Sequence, residues 1–341
     1  MSLERGRKAI QLQMPEEIPH VQYLSNYEYM AHITGLSEDD PDLGLEAMRK
    51  LDYDLVWTTD APELRGRLTD LGVHYWGEKR PAQDTRRNAF QDVNEVLAFD
   101  PVEEYGLADI EQKAKEYQAR YEAAQTGAFH FCLYPGGIYR TLVSFMIAAF
   151  GWELLLEAAG TNPKRFEWLA QRFFEVSRSY YLAWAKTDIE AFICHDDMVW
   201  AQGAFMQPTY YRKLIFTRYR ELWRPLKERG IKVLFCSDGN FTEFVDDLAE
   251  AGADGFIFEP ITDLAYVVRN YGRTHVIIGN ADCRVLMRGD KEEIRAEVRR
   301  CIDLGRDCPG YFFAVGNHIP AGIPVENVAL CMDTYFELRR R

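Results

Sequence analysis

Apolar residues recur along this chain in short runs, each closed by a polar group and most followed by a longer stretch with helical spacing. In order the runs are His20–Ser25, Asp54–Thr58, Phe129–Tyr134, Ala191–Cys194, Val233–Phe235, Gly255–Phe258, His275–Ile278 and Tyr311–Val315. The intervening periodicity predicts helices over Asn26–Thr34, Leu45–Leu51, Leu107–Gln125, Thr141–Ala159 and Pro163–Lys186. It continues with Pro208–Arg229, Phe241–Ala251, Leu264–Tyr271, Lys291–Leu304 and Val325–Leu338. Gly35 and Gly230 are stop signals, and Pro135-Gly136-Gly137 closes the third run. Strands alternating with helices predict the α/β class, as one (β/α)₈ TIM barrel across residues 1–341. Residues 61–110 break the rhythm. Leu64–Leu71 reads as a short helix, and Val73–Trp76 with the polar run to Asn88 as a hairpin or an insertion, a lid over the barrel mouth.

Composition narrows what such a barrel can meet. A chain of 341 residues, 47% hydrophobic and 27% charged, can bury a large core. Its net charge of −13 argues against nucleic acid and anionic membrane as partners, because both demand a basic footprint. The seven cysteines, odd in number and without framework spacing, do not read as a disulfide scaffold. The start lacks the apolar run of a signal peptide, and no stretch approaches the roughly 18 continuous apolar residues of a membrane span. A cytoplasmic protein is expected, and a homodimer is compatible with it.

In a parallel barrel the C-terminal strand ends meet at one mouth, where chemistry is done. Here that mouth collects Asp60, Tyr134, His195, Asp196, Asp197, Cys236, Asp238, Glu259, Asn280, Asp282, Asn317 and His318. Any of these polar residues can instead cap the following helix, and for Asp60, Asp282 and Asn317 the two readings stand level. Two chemistries are open. In one, Cys236 and Asp238 alternate along the fifth run and His318 arrives from the eighth, a thiolate, a carboxylate and an imidazole suited to zinc with an open position. A metal-free polar pocket is the alternative. In the other, the adjacent carboxylates of Asp196 and Asp197 raise each other's pKa and do acid/base work beside His195. A helix-capping pair is the bland counterpart.

From about residue 188 onward the chain resembles the uroporphyrinogen decarboxylase-like superfamily. The resemblance is carried by His195-Asp-Asp-Met198, Cys236-Ser-Asp-Gly-Asn240, Phe258-Glu-Pro260, Ile278-Gly-Asn280, Gly316-Asn-His-Ile-Pro320 and Ile323-Pro-Val-Glu-Asn-Val328. The opening Arg7–Ser25 fits the same group more loosely. The resemblance implies a (β/α)₈ barrel and one of two activities. The decarboxylases carry an N-terminal Arg-Gln-Ala-Gly-Arg motif that grips porphyrinogen carboxylates, and it is absent here. Each uncompensated pair of like charges at ~6 Å would cost about 3 kcal/mol at an effective dielectric near 20, so an acid-rich mouth argues against that substrate.

The other activity is corrinoid-dependent methyl transfer. Relatives of that kind, the methylcobalamin:coenzyme M methyltransferases, hold zinc with a His-x-Cys pair and a later Cys. Cys236, Asp238 and Asn317 occupy those positions here, with His318 next in line. The altered set looks more like the first methyltransferase of an O-demethylase system. The resemblance then implies a methyl group taken from a small methoxylated, aromatic substrate to the cob(I)alamin of a partner corrinoid protein. Zinc is expected on Cys236, Asp238 and His318. His195, Asp196 and Glu259 are the expected catalytic residues, with Glu259 a reserve ligand, and Tyr134, Asp197, Asn280 and Asn317 are expected to bind substrate. A decarboxylase of a small carboxylic acid and a methylcobalamin:thiol methyltransferase are the alternatives.

Overall fold

The structure, a computed structural model, describes residues 2–62, 64–69 and 87–341. Its strands are β1 (Leu24–Ser25), β2 (Gly136–Tyr139), β3 (Ala191–His195), β4 (Lys232–Ser237) and β5 (Gly255–Phe258). They continue as β6 (Val276–Ile278), β7 (Ala281–Asp282), β8 (Tyr311–Phe312), β9 (Val315–Gly316) and β10 (Ile319–Pro320). Six of them form a parallel sheet in the order β2-β3-β4-β5-β6-β8, while β1 pairs with β10 and β7 with β9, also in parallel. Parallel bridges His20↔Phe313, Leu55↔Leu133 and Asp60↔Ile138, with the Asp54 N–H donating to the His20 carbonyl at 3.2 Å, carry the pairing around the remaining gap. The ring closes as a (β/α)₈ barrel.

Side chains on the staves divide by parity. Ala191, Ile193, Leu234, Cys236, Ile257, Val276, Ile278, Phe312 and Ala314 gather in one buried cluster inside the ring. Their neighbours Phe192, Cys194, Val233, Phe235, Phe256, Phe258, Ile277 and Phe313 belong to the larger cluster shared with the helices. A two-residue period facing two apolar layers is why these runs are apolar throughout rather than alternating with polar residues. The N-terminal helix Ser2–Ile10 closes the bottom, placing Ala9 and Ile10 in the inner cluster. Arg5 holds it there through Asp54 at 2.6 Å, Asp52 at 2.8 Å and Glu17 at 3.0 Å.

The expected helices are present with shifted ends. Tyr27–Thr34 is capped by Asn26 and stopped by Gly35 at φ 77°, and Leu264–Tyr271 and Val325–Leu338 match the periodicity. Three short helices went unread: Val93–Ala98, Pro101–Tyr105 and Cys283–Arg288, each opened by an aspartate. Residues 64–69 are not helical, Val73–Trp76 lies outside the described residues, and Phe90 and Phe99 pack on Phe150 of the helix Val143–Thr161. That helix has the length and composition to cross a membrane, but it is kinked at Gly151 (φ 71°) and mostly buried in the core. The third stave departs most from expectation. The expected run Phe129–Tyr134 is turn with a single bridge at Leu133, and Pro135-Gly136-Gly137 does not close a strand but leads into one, β2. A Cβ at Gly136 would meet the Trp184 ring at 2.8 Å, and one at Gly137 the Thr58 carbonyl at 2.8 Å, so the glycines are where neighbours approach the backbone closely.

One buried group ties this barrel to pH. His20 is fully buried among Tyr53, Tyr335 and Phe336, with Nε2 2.7 Å from the Leu51 carbonyl and Nδ1 without a partner. Burial holds it neutral, lowering its pKa from 6.5 to about 3. A depressed histidine contributes stability that is complete above the unfolded pKa and is lost as pH falls toward the folded one. Between pH 6.5 and 3 wild type should therefore lose at most about 1.4 kcal/mol per pH unit relative to His20→Phe. Urea midpoints of both proteins at pH 7, 6 and 5 measure this, and parallel pH profiles would disprove it.

Candidate metal centre and substrate cleft

Parity also decides what reaches the barrel mouth. β3 and β4 pair with His195 opposite Cys236, so odd residues of β3 and even residues of β4 face the lumen. Continuing each alternation brings Asp197 and Asp238 to the same side. One ligand atom from each of His195, Asp197 and Asp238 lies within 4.8 Å of the others, a group able to hold a metal ion. His195 Nε2 is 3.2 Å from Asp197 Oδ1, which also accepts the Asp238 N–H at 2.9 Å. His195 Nδ1 is buried without a hydrogen-bond partner.

The group sits in the wall of a cavity of about 240 Å³. Tyr23, Trp57 and Tyr139 line it as aromatic rings, and Glu259 and Asn317 lie among the polar residues. Asn317 Nδ2 donates to Asp238 Oδ2 at 3.1 Å and to Glu259 Oε1 at 3.0 Å, clasping two carboxylates. Glu259 Oε2 accepts the Gly239 N–H at 2.7 Å. Gly239 has φ 84° and a Cβ there would strike the Val199 carbonyl at 2.6 Å, so the turn that exposes Asp238 needs a glycine.

Electrostatically the cleft is anionic. Burial, then Asp197 and Glu259, push the Asp238 carboxyl up to about 8. Burial works to lower the His195 pKa, yet Cys236 and Asp197 carry it well above its ordinary value. Burial opposes ionisation of Asp197 too, but His195 and the Asp238 N–H bring its pKa below the ordinary one. Burial raises the Cys236 thiol. No Lys or Arg lines the cavity among the described residues.

Other expected site residues lie elsewhere. Asp196 is fully buried on the helix side of β3. Its carboxylate accepts the N–H groups of Leu142, Val143 and Ser144 (3.0, 2.9 and 2.7 Å), the Ser144 hydroxyl (2.6 Å) and the Tyr219 hydroxyl (2.5 Å). It is a structural acceptor at a helix N-terminus, not a group facing substrate. Asn280 is fully buried, donating to the Glu259 and Thr262 carbonyls and accepting from Arg300. Tyr134 precedes β2 and stacks on Phe129 at 5.3 Å; Tyr139, at the other end of that stave, reaches the cleft. Cys236, Asp238 and His318 do not form one group of ligand atoms. Asn317 has φ 66°, its side chain goes to the cleft, and His318 packs against Tyr23 at 5.8 Å with Nδ1 2.9 Å from Asn317 Oδ1. Asp282 caps Cys283–Arg288, and Asp60 pairs with Arg120.

A family model described as Uroporphyrinogen decarboxylase (URO-D) matches residues 140–338, more than half of the chain and both elements that supply the metal-competent group. The chain belongs to that family. The uroporphyrinogen decarboxylase of Syntrophotalea carbinolica is 27% identical over 206 residues, 60% of this chain and 58% of its own length. That of Geobacter metallireducens is 24% identical over 266 residues, 76% of this chain and 74% of its own length. The chain thus spans little more than half the length of the first of these relatives. The fold is shared with a methyltransferase from Methanosarcina mazei, TM-score 0.65 at 17% identity, covering 98% of both chains. Tyr139 falls just before the first residue of the URO-D match, and the aromatic wall it shares with Tyr23 and Trp57 lies outside that match.

Neighbouring aspartates should respond in opposite ways. Asp196→Ala leaves three N–H groups and two hydroxyls buried without an acceptor and should cost about 3 kcal/mol or more in urea unfolding. Asp197→Asn, at a side chain 25% exposed to the cleft, should change the unfolding free energy by no more than about 1 kcal/mol. Equal losses from both would refute the division of roles.

Proposed function

We propose that this chain is a methyltransferase that holds zinc on His195, Asp197 and Asp238. It moves a methyl group from a small methoxylated, aromatic substrate to the cob(I)alamin of a partner corrinoid protein. What carries this is the cleft lining: three carboxylates, one imidazole and one thiol face the rings of Tyr23, Trp57 and Tyr139, with no lysine or arginine among the described lining residues. A porphyrinogen or another polycarboxylate needs cations to grip it, so the same lining argues against decarboxylation as the activity. The shared fold of a protein described as a methyltransferase supports the same direction, as a fold hosts chemistry that its site residues decide.

The residues fit a divalent ion by their chemistry. An imidazole and two carboxylates are ligand types that zinc accepts, three in number with an open side, and Nδ1 of His195 is buried without a hydrogen-bond partner. Zinc bound there would supply Lewis-acid polarisation of the ether oxygen. The chain's own residues do the rest. Tyr23, Trp57 and Tyr139 offer faces for an aromatic ring. Asn317 fixes the spacing of Asp238 and Glu259, and Cys236 forms part of the floor. The corrinoid partner would approach the open mouth, where the methyl group must leave.

Elemental analysis of the purified protein should find zinc, lost in Asp197→Asn and in Asp238→Asn. Methyl transfer from a panel of methoxyarenes to free cob(I)alamin, followed by its absorbance, should fall by about 10²-fold or more in either variant and with chelator. Metal-free protein of full activity would end the zinc assignment, and no transfer from any methoxyarene would end the demethylase one.

A further inference from the structure

The cleft has the make-up of a receptor for a methylated cation. Resting on the methyl-transfer reading above, we propose that its methyl donors include quaternary ammonium and sulfonium compounds, seated against Tyr23, Trp57 and Tyr139 with Glu259 as counter-charge. The rings are contiguous: Tyr23 and Trp57 have centroids 6.1 Å apart, Trp57 and His195 6.0 Å, and Tyr139 and His195 4.6 Å. Ring faces attract desolvated cations, and quaternary ones, which water holds weakly and which make no hydrogen bonds, are readily desolvated there.

Charge points the same way. Three carboxylates line the cavity, so a divalent ion on His195, Asp197 and Asp238 still leaves one negative charge uncompensated. Of the cationic side chains nearby, Arg140 lies 5.9 Å from the Tyr139 ring centre but does not line the cavity, and Lys113 and Arg120 belong to an adjoining cavity beyond Thr59, where they are engaged with Glu116 and Asp60. Glu259 is anchored by the Gly239 N–H and by Asn317, which holds its carboxylate in place at the cavity wall. The volume, about 240 Å³, suits a small head group.

The chemistry balances without a proton. The C–N or C–S bond breaks and its electron pair stays on nitrogen or sulfur, which leaves as a neutral amine or thioether. The methyl carbon takes the electron pair of the partner's Co(I) corrinoid, and the positive charge departs with it. A methoxyarene instead releases an anion beside carboxylates, which needs a proton or a metal at its oxygen.

The test uses the zinc-loaded protein in two arms. In the first, binding of tetramethylammonium and of its uncharged counterpart tert-butanol is measured by isothermal titration calorimetry. The cation should bind at least about tenfold more tightly, and Glu259→Gln and Trp57→Leu, each checked for folding by circular dichroism, should erase about that advantage. In the second, phenyltrimethylammonium and methoxyarenes are offered with cob(I)alamin, and methylcobalamin should form from both. Transfer from methoxyarenes without preference for or transfer from the cations overturns this inference and leaves the demethylase reading standing. Selective cation binding with no transfer from any donor supports the cation site and overturns methyl transfer.

Discussion

The carboxylate of Asp196 is the point on which the mouth of the barrel hangs. Five donors from three segments converge on it: the chain leaving β2, the first turn of the helix Val143–Thr161, and Tyr219 of the helix Phe216–Glu228. A helix N-terminus presents unpaired N–H groups and the positive end of its dipole, so a buried carboxylate there answers two needs at once. With Asp196 locked into the helix layer, its neighbours His195 and Asp197 are both turned toward the lumen. The fixed acceptor and the candidate ligands are consecutive residues, separated by parity alone.

Around that anchor the cleft concentrates negative charge that the protein itself does not neutralise. Asp238 is hard to ionise beside Asp197 and Glu259, and Asn317 holds two of these carboxylates together instead of letting them separate. Natural sites keep such crowding where something positive arrives: a metal, a cationic substrate or both. The aromatic wall across the cavity adds a surface that suits flat rings and bulky cations alike.

Family membership and site chemistry therefore separate in this chain. Residues 140–338 carry the uroporphyrinogen decarboxylase pattern, and the barrel agrees with a methyltransferase over its whole length. What lines the mouth is neither a grip for many carboxylates nor a sulfur-rich metal site. Barrel folds tolerate this because the staves fix the geometry while residues at their ends vary freely.

The order of elements was legible because both codes are local: apolar runs at strand period, helical spacing between them, and caps such as Asn26 and Gly35. So was the gathering of His195, Asp197, Cys236, Asp238, Glu259 and Asn317 at one mouth, which parallel winding imposes. Which of two adjacent acids faces the lumen was not legible, since Asp196 and Asp197 differ only in which layer each meets. The same holds for Tyr134 against Tyr139, where two glycines that look like a turn prove to be the tightly packed start of a stave. For Asn317 against His318, a left-handed residue sends consecutive side chains different ways. Composition and period set the fold; the pairing register, with the close approaches it forces, assigned each polar side chain to the cleft or to the core.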